Sequence, residues 1–209
     1  MLKTLTYYGH SCFRIEAENG WTAVLDPYRK QSVPGLHMPV LQADAFFCSH
    51  EHADHNGSEN IERKNPTSAS PYEVKLVTTD HDDQGGKLRG KNNVLILSGC
   101  GEKVVHMGDI GCIPSEEILA PMKSADILML PGGGYYTIDA KQARELIEIL
   151  EPKLAVLMHF RSGSRGYDVI ASEADVCRDI PEAVPVKQYC IGMDMYRGVI
   201  IMDPHPDAL

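Results

Sequence analysis

Apolar and polar residues alternate with a period near two through the first part of the chain, which predicts strands over residues 3–8, 12–17 and 22–25. Glu18-Asn19-Gly20 supplies the turn between the second and the third. Residues 29–39 break the pattern with Pro34, Gly35 and Pro39, predicting an irregular loop long enough to act as a lid. Further strands are predicted over 45–48, 74–78 and 94–97, and Gly99-Cys100-Gly101-Glu102 turns the last of these into another at 103–107. Helical signals come late. Ser115 with Glu116 and Glu117 opens a short helix that ends near Pro121. Asp139 caps a longer one over 140–150, in which Ala143, Leu146, Ile147 and Leu150 form one apolar stripe. On either side of that helix, residues 127–130 and 154–158 are continuous apolar runs, the pattern of strands covered on both faces. The chain therefore reads as α/β. No repeat, low-complexity tract or linker interrupts it, so a single domain over residues 1–209 is expected.

Composition narrows the function classes. With 43% hydrophobic and 23% charged residues the chain is neither disordered nor fibrous, and its longest apolar runs fall far short of the about 18 residues of a membrane span. A formal net charge of −9 without a Lys/Arg cluster argues against a nucleic-acid partner. The opening MLKTLTYYGH turns polar too soon for a signal peptide, and the six cysteines are scattered with no CxxC pair. A cytoplasmic protein with reduced thiols is expected, acting on a small molecule, with no membrane partner and a sequence compatible with a homo-oligomer.

The informative stretch is His50-Glu51-His52-Ala53-Asp54-His55, placed directly behind the apolar strand at 45–48. Residues i and i+2 of an extended segment face one side, so His50 and His52 can share one cation while Asp54 and His55 face a second. Other metal-binding residue types at predicted strand ends are His81 behind 74–78, Asp109 behind 103–107 and His159 behind 154–158. Together these are five histidines and two aspartates, enough for two divalent cations if one carboxylate bridges.

HEHADH, a lone histidine, an aspartate in a GD step and a late histidine resemble the metallo-β-lactamase fold superfamily over nearly the whole chain. The opening YYGHSCFRIE…LDPY and the stretch PGGGYYTIDAKQARELIEILEPKLAVLMHF are similar to its small metal-dependent hydrolases, which include ascorbate-6-phosphate lactonase-like proteins. The resemblance implies a four-layer αββα sandwich with the site at the sheet edge. It implies one ion held by His50, His52 and His81, a second by Asp54, His55 and His159, and a bridge at Asp109. Zinc is the foremost metal, with manganese or iron as alternatives. The implied reaction uses a metal-bridging hydroxide to cleave a small ester, lactone or phosphodiester, with Asp54 orienting the nucleophile or taking its proton. The alternative is a mononuclear-iron oxidoreductase of the sulfur dioxygenase kind. Antibiotic hydrolysis is disfavoured, because the common dizinc enzymes carry a cysteine in the second site.

Weaker signals surround this set. His10, between two strands, is a candidate to stabilise an oxyanion or protonate a leaving group. Asp26 and Asp44 are candidates to orient imidazoles from behind, and His106 reads as buried support. Gly132-Gly133-Gly134 implies close backbone approach beside the metals, with Tyr135 or Tyr136 donating to substrate. Arg161 and Arg165, just after His159, are expected at the mouth to bind an anionic substrate.

Overall fold

The computed structural model describes residues 1–64, 68–192 and 195–209. In chain order its elements begin with β1 (Leu2–Tyr7), β2 (Phe13–Ala17), β3 (Thr22–Leu25), β4 (Leu41–Ala43), β5 (Ala45–Phe47) and β6 (Ile61–Arg63). They continue with β7 (Glu73–Asp80), β8 (Lys91–Gly99), β9 (Glu102–His106), α1 (Glu116–Leu119), β10 (Ile127–Pro131), α2 (Ala140–Leu150) and β11 (Leu154–Met158). The last are α3 (Glu173–Asp179), β12 (Ala183–Val186), β13 (Cys190–Gly192) and β14 (Gly198–Met202). One sheet has the order β13-β1-β2-β3-β5 and the other β12-β14-β11-β10-β9-β8-β7, with β4 and β6 as a separate ribbon.

Pairing directions place the site. β7 is antiparallel to β8 and β8 to β9, so β7 and β9 run the same way as the parallel set β10, β11, β14 and β12. In the first sheet β1, β3 and β5 likewise share a direction. Every segment that carries a candidate ligand leaves from the C-terminal end of one of these strands, where loops collect in α/β sheets.

Successive strand residues point to opposite faces, which splits the apolar residues of the second sheet between two cores. Leu95, Leu97, Val104, Met129 and Val156 meet Leu5, Phe13 and Ile15 of the first sheet. Ile96, Val105, Leu128 and Leu130 face the other way, under Ala143, Leu146 and Leu150 of α2 and Val176 of α3. The outer face of the first sheet is covered without an α-helix. Tyr28, Val33 and Met38 pack there with Ala43 and Ala208. Pro34, Gly35 and Pro39 make that stretch unfit for a helix, so the fourth layer of the sandwich is irregular chain and a short ribbon. The same packing corrects the expected lid: Val33 and Met38 are buried, and the Tyr28 hydroxyl donates to the Tyr8 carbonyl at 2.9 Å, pinning the segment as a wall.

Helix α2 has the predicted bounds and opens on a capping box between Asp139 and Gln142. The helix behind Ser115 is four residues long and passes into a 3-10 turn, Ala120–Met122, that takes in Pro121. Helix α3 has its own capping box, Ser172 with Asp175. The Ser172 hydroxyl and then the Arg178 guanidinium hold the Asp175 carboxyl down to about 2. A depressed carboxyl adds stability that is fully present above its unfolded value near about pH 4 and is lost as the pH falls towards the folded value. Urea unfolding across this acid range should show a shallower loss of stability in Asp175→Asn than in the natural chain. Superimposable pH profiles would refute it.

Candidate metal centre

The ligand residues converge from both sheets. His10 stands in the turn after β1, His50 to His55 follow β5, His81 follows β7, Asp109 follows β9 and His159 follows β11. His50, His52 and His81 present ligand atoms within 4.8 Å of one another, as do His10, Asp54, His55 and His159, and as do His50, His55 and Asp109. Asp109 is the hub: its Oδ2 lies 3.1 Å from His55 Nε2, 3.2 Å from His159 Nε2, 3.4 Å from His81 Nε2 and 4.0 Å from His50 Nε2. Its backbone N–H donates to the Asn92 side chain at 2.9 Å, which fixes the approach.

Hydrogen bonds on the far side of the rings set the tautomers. Asp26, at the end of β3, accepts from His55 Nδ1 at 2.7 Å and from the Ser49 hydroxyl at 2.6 Å. That hydroxyl in turn accepts from His50 Nδ1 at 2.8 Å. One buried carboxylate thus orients two imidazoles and leaves both Nε2 atoms as bare lone pairs, the arrangement seen behind metal-binding histidines. Those atoms, Asp109 Oδ1 and both ring nitrogens of His159 are buried without a partner among the described residues. A bare lone pair 3.1 Å from a carboxylate oxygen is repulsive unless positive charge lies between them. Burial opposes a charge on His55, yet Asp109 and then Asp26 outweigh it and push its pKa up, whereas burial pulls His50 down to about 3. Cations answer the same demand, and the nitrogen and oxygen donor set fits divalent metals.

Asp54 is half-buried, and its Oδ2 is 3.1 Å from His10 Nε2 and 3.3 Å from the Tyr167 hydroxyl. Burial resists its ionisation, but the hydrogen bond from His10 and the nearby His55 hold the carboxyl well below the usual carboxylate range. His10, Asp26 and His159 all adopt left-handed backbone, with φ of 54°, 45° and 55°. Such strain, of order 1–3 kcal/mol at each residue, clusters at functional sites.

A cavity of about 250 Å³ opens over the cluster, lined by His52, Asp54, His81, Arg89, Asp109, Tyr136 and Tyr167. Tyr135 is not brought to it. The turn at Gly134 and Tyr135, both at positive φ, aims the Tyr135 ring outward at 64% exposure, and its neighbour Tyr136 faces the site instead. Arg161 and Arg165 are also absent from the lining: Arg161 donates to the Gly163 carbonyl and Arg165 to that of Ser162. Asp44 accepts from Thr22 and meets no imidazole, and His106 donates to the Ser11 carbonyl as buried support. The residues that sequence reasoning missed are Arg89 and Tyr167. All six cysteines are free, and none belongs to the clusters among the described residues. No helix among them is long and apolar enough to cross a membrane.

Residues 4–159 match the model of the β-lactamase superfamily domain. A UPF0173 metal-dependent hydrolase of Carboxydothermus hydrogenoformans is 27% identical, over 87% of this chain and 93% of its own. A Thermotoga maritima crystal structure assigned to the Zn-dependent hydrolases of the metallo-β-lactamase superfamily superposes with a TM-score of 0.73 at 28% identity, covering 95% of this chain and 97% of that one. The fold is shared as well with Igni18, a metallo hydrolase of Ignicoccus hospitalis, with a TM-score of 0.65 at 19% identity over 87% of this chain and 91% of that one. The sandwich, the converging histidines and aspartates and the match over most of the chain agree, and the protein belongs to the β-lactamase superfamily.

Proposed function

We propose that the chain hydrolyses a small, anionic ester, lactone or phosphodiester with two divalent cations, zinc foremost and manganese or iron as alternatives. The observation that carries this reading is Asp109 Oδ2, which lies within 4.0 Å of nitrogens from both histidine groups and so is placed to bridge two ions. Bound there, the cations would supply an activated water near neutral pH and polarise the oxygen of the bond to be broken.

The chain's own residues support the chemistry. Asp54 lines the cavity as a carboxylate, the form that orients an attacking water and accepts its proton. His10 is buried behind it. Burial pulls its pKa down to about 4, so it serves as a neutral donor that holds Asp54 in place. Burial and Asp54 push the Tyr167 phenol up, keeping it protonated to donate. Tyr136 and Tyr167 line the cavity. At about 250 Å³ the cavity lies just below the roughly 300–1,000 Å³ of drug-sized sites, a volume that suits a metabolite-sized substrate. A cytoplasmic setting suits six free thiols.

Metal titration tests the reading. Chelator-stripped protein should take up zinc to a plateau of two ions per chain, and X-ray absorption should show nitrogen and oxygen scatterers without sulfur. Hydrolysis of a generic ester or phosphodiester should vanish on stripping and return with the metal. A plateau at one ion would favour the mononuclear-iron reading, and sulfur scattering would overturn the ligand set.

A further inference from the structure

Arg89 lines the cavity, and neither the ligand cluster nor the proposed chemistry uses it. Its guanidinium carbon lies 5.5 Å from the centroid of the Tyr136 ring, and among the described residues it makes no hydrogen bond and no ion pair. Three other arginines find acids, Arg144 with Glu182, Arg178 with Asp175 and Arg14 with Glu16, while Arg161 and Arg165 donate to carbonyls of their own loop and do not line the cavity. With 29 acidic against 20 basic residues, an unpaired guanidinium facing a cavity is a vacant anion contact.

The backbone that delivers it is fixed. The buried Asp82 carboxylate accepts four backbone N–H groups, from Gln84, Gly86, Leu88 and Arg89, at 2.8 to 2.9 Å. The loop closes at its base where the His81 N–H donates to the Gly90 carbonyl at 3.1 Å and Lys91 pairs with Asp80. One compact loop therefore presents His81 to the metal cluster and Arg89 to the space beside it. Tyr136 and Tyr167 meet ring to edge with centroids 5.6 Å apart, so the two rings form an angled aromatic surface from Arg89, beside Tyr136, to Asp54, which the Tyr167 hydroxyl meets.

We propose that Arg89 is the specificity-determining residue of the site. It takes an oxyanion, carboxylate or phosphate, at the end of the substrate remote from the bond that is broken, while the middle of the substrate lies against Tyr136 and Tyr167. This rests on the hydrolase reading of the same site and narrows its substrates to small molecules with an anionic end. A guanidinium recognises such a group through two parallel N–H donors, which a lysine cannot reproduce.

The test uses the zinc-loaded full chain and three matched 4-nitrophenyl esters: the neutral butyrate, the carboxylate-bearing glutarate and the 3-phosphonopropionate. In the natural chain kcat/KM should favour an anionic ester. Arg89→Ala should reduce that preference by about tenfold or more, chiefly through KM, as the loss of a charge-assisted contact remote from the reacting bond. Arg89→Lys should recover part of it. The carboxylate and phosphonate arms show which anion the site is built for. Calorimetry of free glutarate, 3-phosphonopropionate and butyrate on the same proteins gives a second reading that needs no turnover. If no ester is cleaved, the ester part of the hydrolase reading fails, yet a tenfold weaker binding of one dianion in Arg89→Ala, relative to butyrate, still supports this role for Arg89. A preference unchanged by Arg89→Ala in both measurements overturns it.

Discussion

Asp109→Ala is expected to lose hydrolysis by roughly a thousandfold or more, the equivalent of several kcal/mol, and to hold fewer than two metal ions. Its Oδ2 lies between nitrogens of His50, His55, His81 and His159, and among the described residues no other carboxylate comes within 4.0 Å of all four. On the proposed two-metal reading, removing the carboxylate that would link the cations leaves their mutual repulsion unscreened. Asp26→Ala is the informative comparison. It removes the partner that orients His55 directly and His50 through Ser49, and an orienting partner of this kind is worth about 10–100-fold in metal affinity or activity. Metal content by elemental analysis, beside ester hydrolysis, ranks the two. Retention of both ions and of activity within tenfold in Asp109→Ala would show that the bridge lies elsewhere.

The second large effect is expected from a methyl group. A Cβ at Gly133 would stand 2.0 Å from the His159 carbonyl oxygen and 3.2 Å from the Phe160 Cα, both backbone, so the strand end that carries His159 must shift. Forcing an atom into packed backbone costs about 1–3 kcal/mol, and at about 2–4 °C per kcal/mol for a chain of this size Gly133→Ala should melt roughly 2–12 °C lower. Its affinity for metal should fall with it, because His159 is displaced. Gly132→Ala serves as the control, since a Cβ there meets its nearest neighbour, a Val176 side-chain carbon, at 3.6 Å. Equal melting shifts for the two variants would rule the argument out.

The candidate ligands are legible because the fold marks them: His81 and His159 directly follow a strand, His50 and Asp109 stand three residues beyond one, and the ends of the apolar strands can be read from hydrophobic pattern. The Gly132-Gly133-Gly134 run was legible for a related reason, since consecutive glycines signal backbone approach, here onto His159. What pattern cannot show is the direction in which a loop aims a side chain. Tyr135 and Tyr136 are neighbours of one type, and only the turn at Gly134 and Tyr135 decides which of them faces the cavity. Arg161 and Arg165 follow a candidate ligand in sequence, but each turns a donor to a carbonyl of its own loop and neither lines the cavity, whereas Arg89 is delivered by a loop wound round Asp82. Asp26 and Asp44 both adjoin a strand, and they part because Ser49 and His55, beyond β5, reach one and Thr22 the other. The α3 start had a readable signal in Ser172-Glu173-Ala174-Asp175. Strand β13 had none, because Cys190–Gly192 is short and its place beside β1 depends on a long-range return.

The ligands come from both sheets: His10 and His50 to His55 from the first, His81, Asp109 and His159 from the second. A cation held from both sides would work as a reversible cross-link across the seam of the sandwich. A cation that binds the folded chain and not the unfolded one contributes RT ln(1 + [M]/Kd), about 2.7 kcal/mol at a hundredfold excess over Kd. Resistance of the chain to unfolding is then governed by metal supply as well as by temperature. A cell short of the metal would lose the protein to proteases as well as its activity.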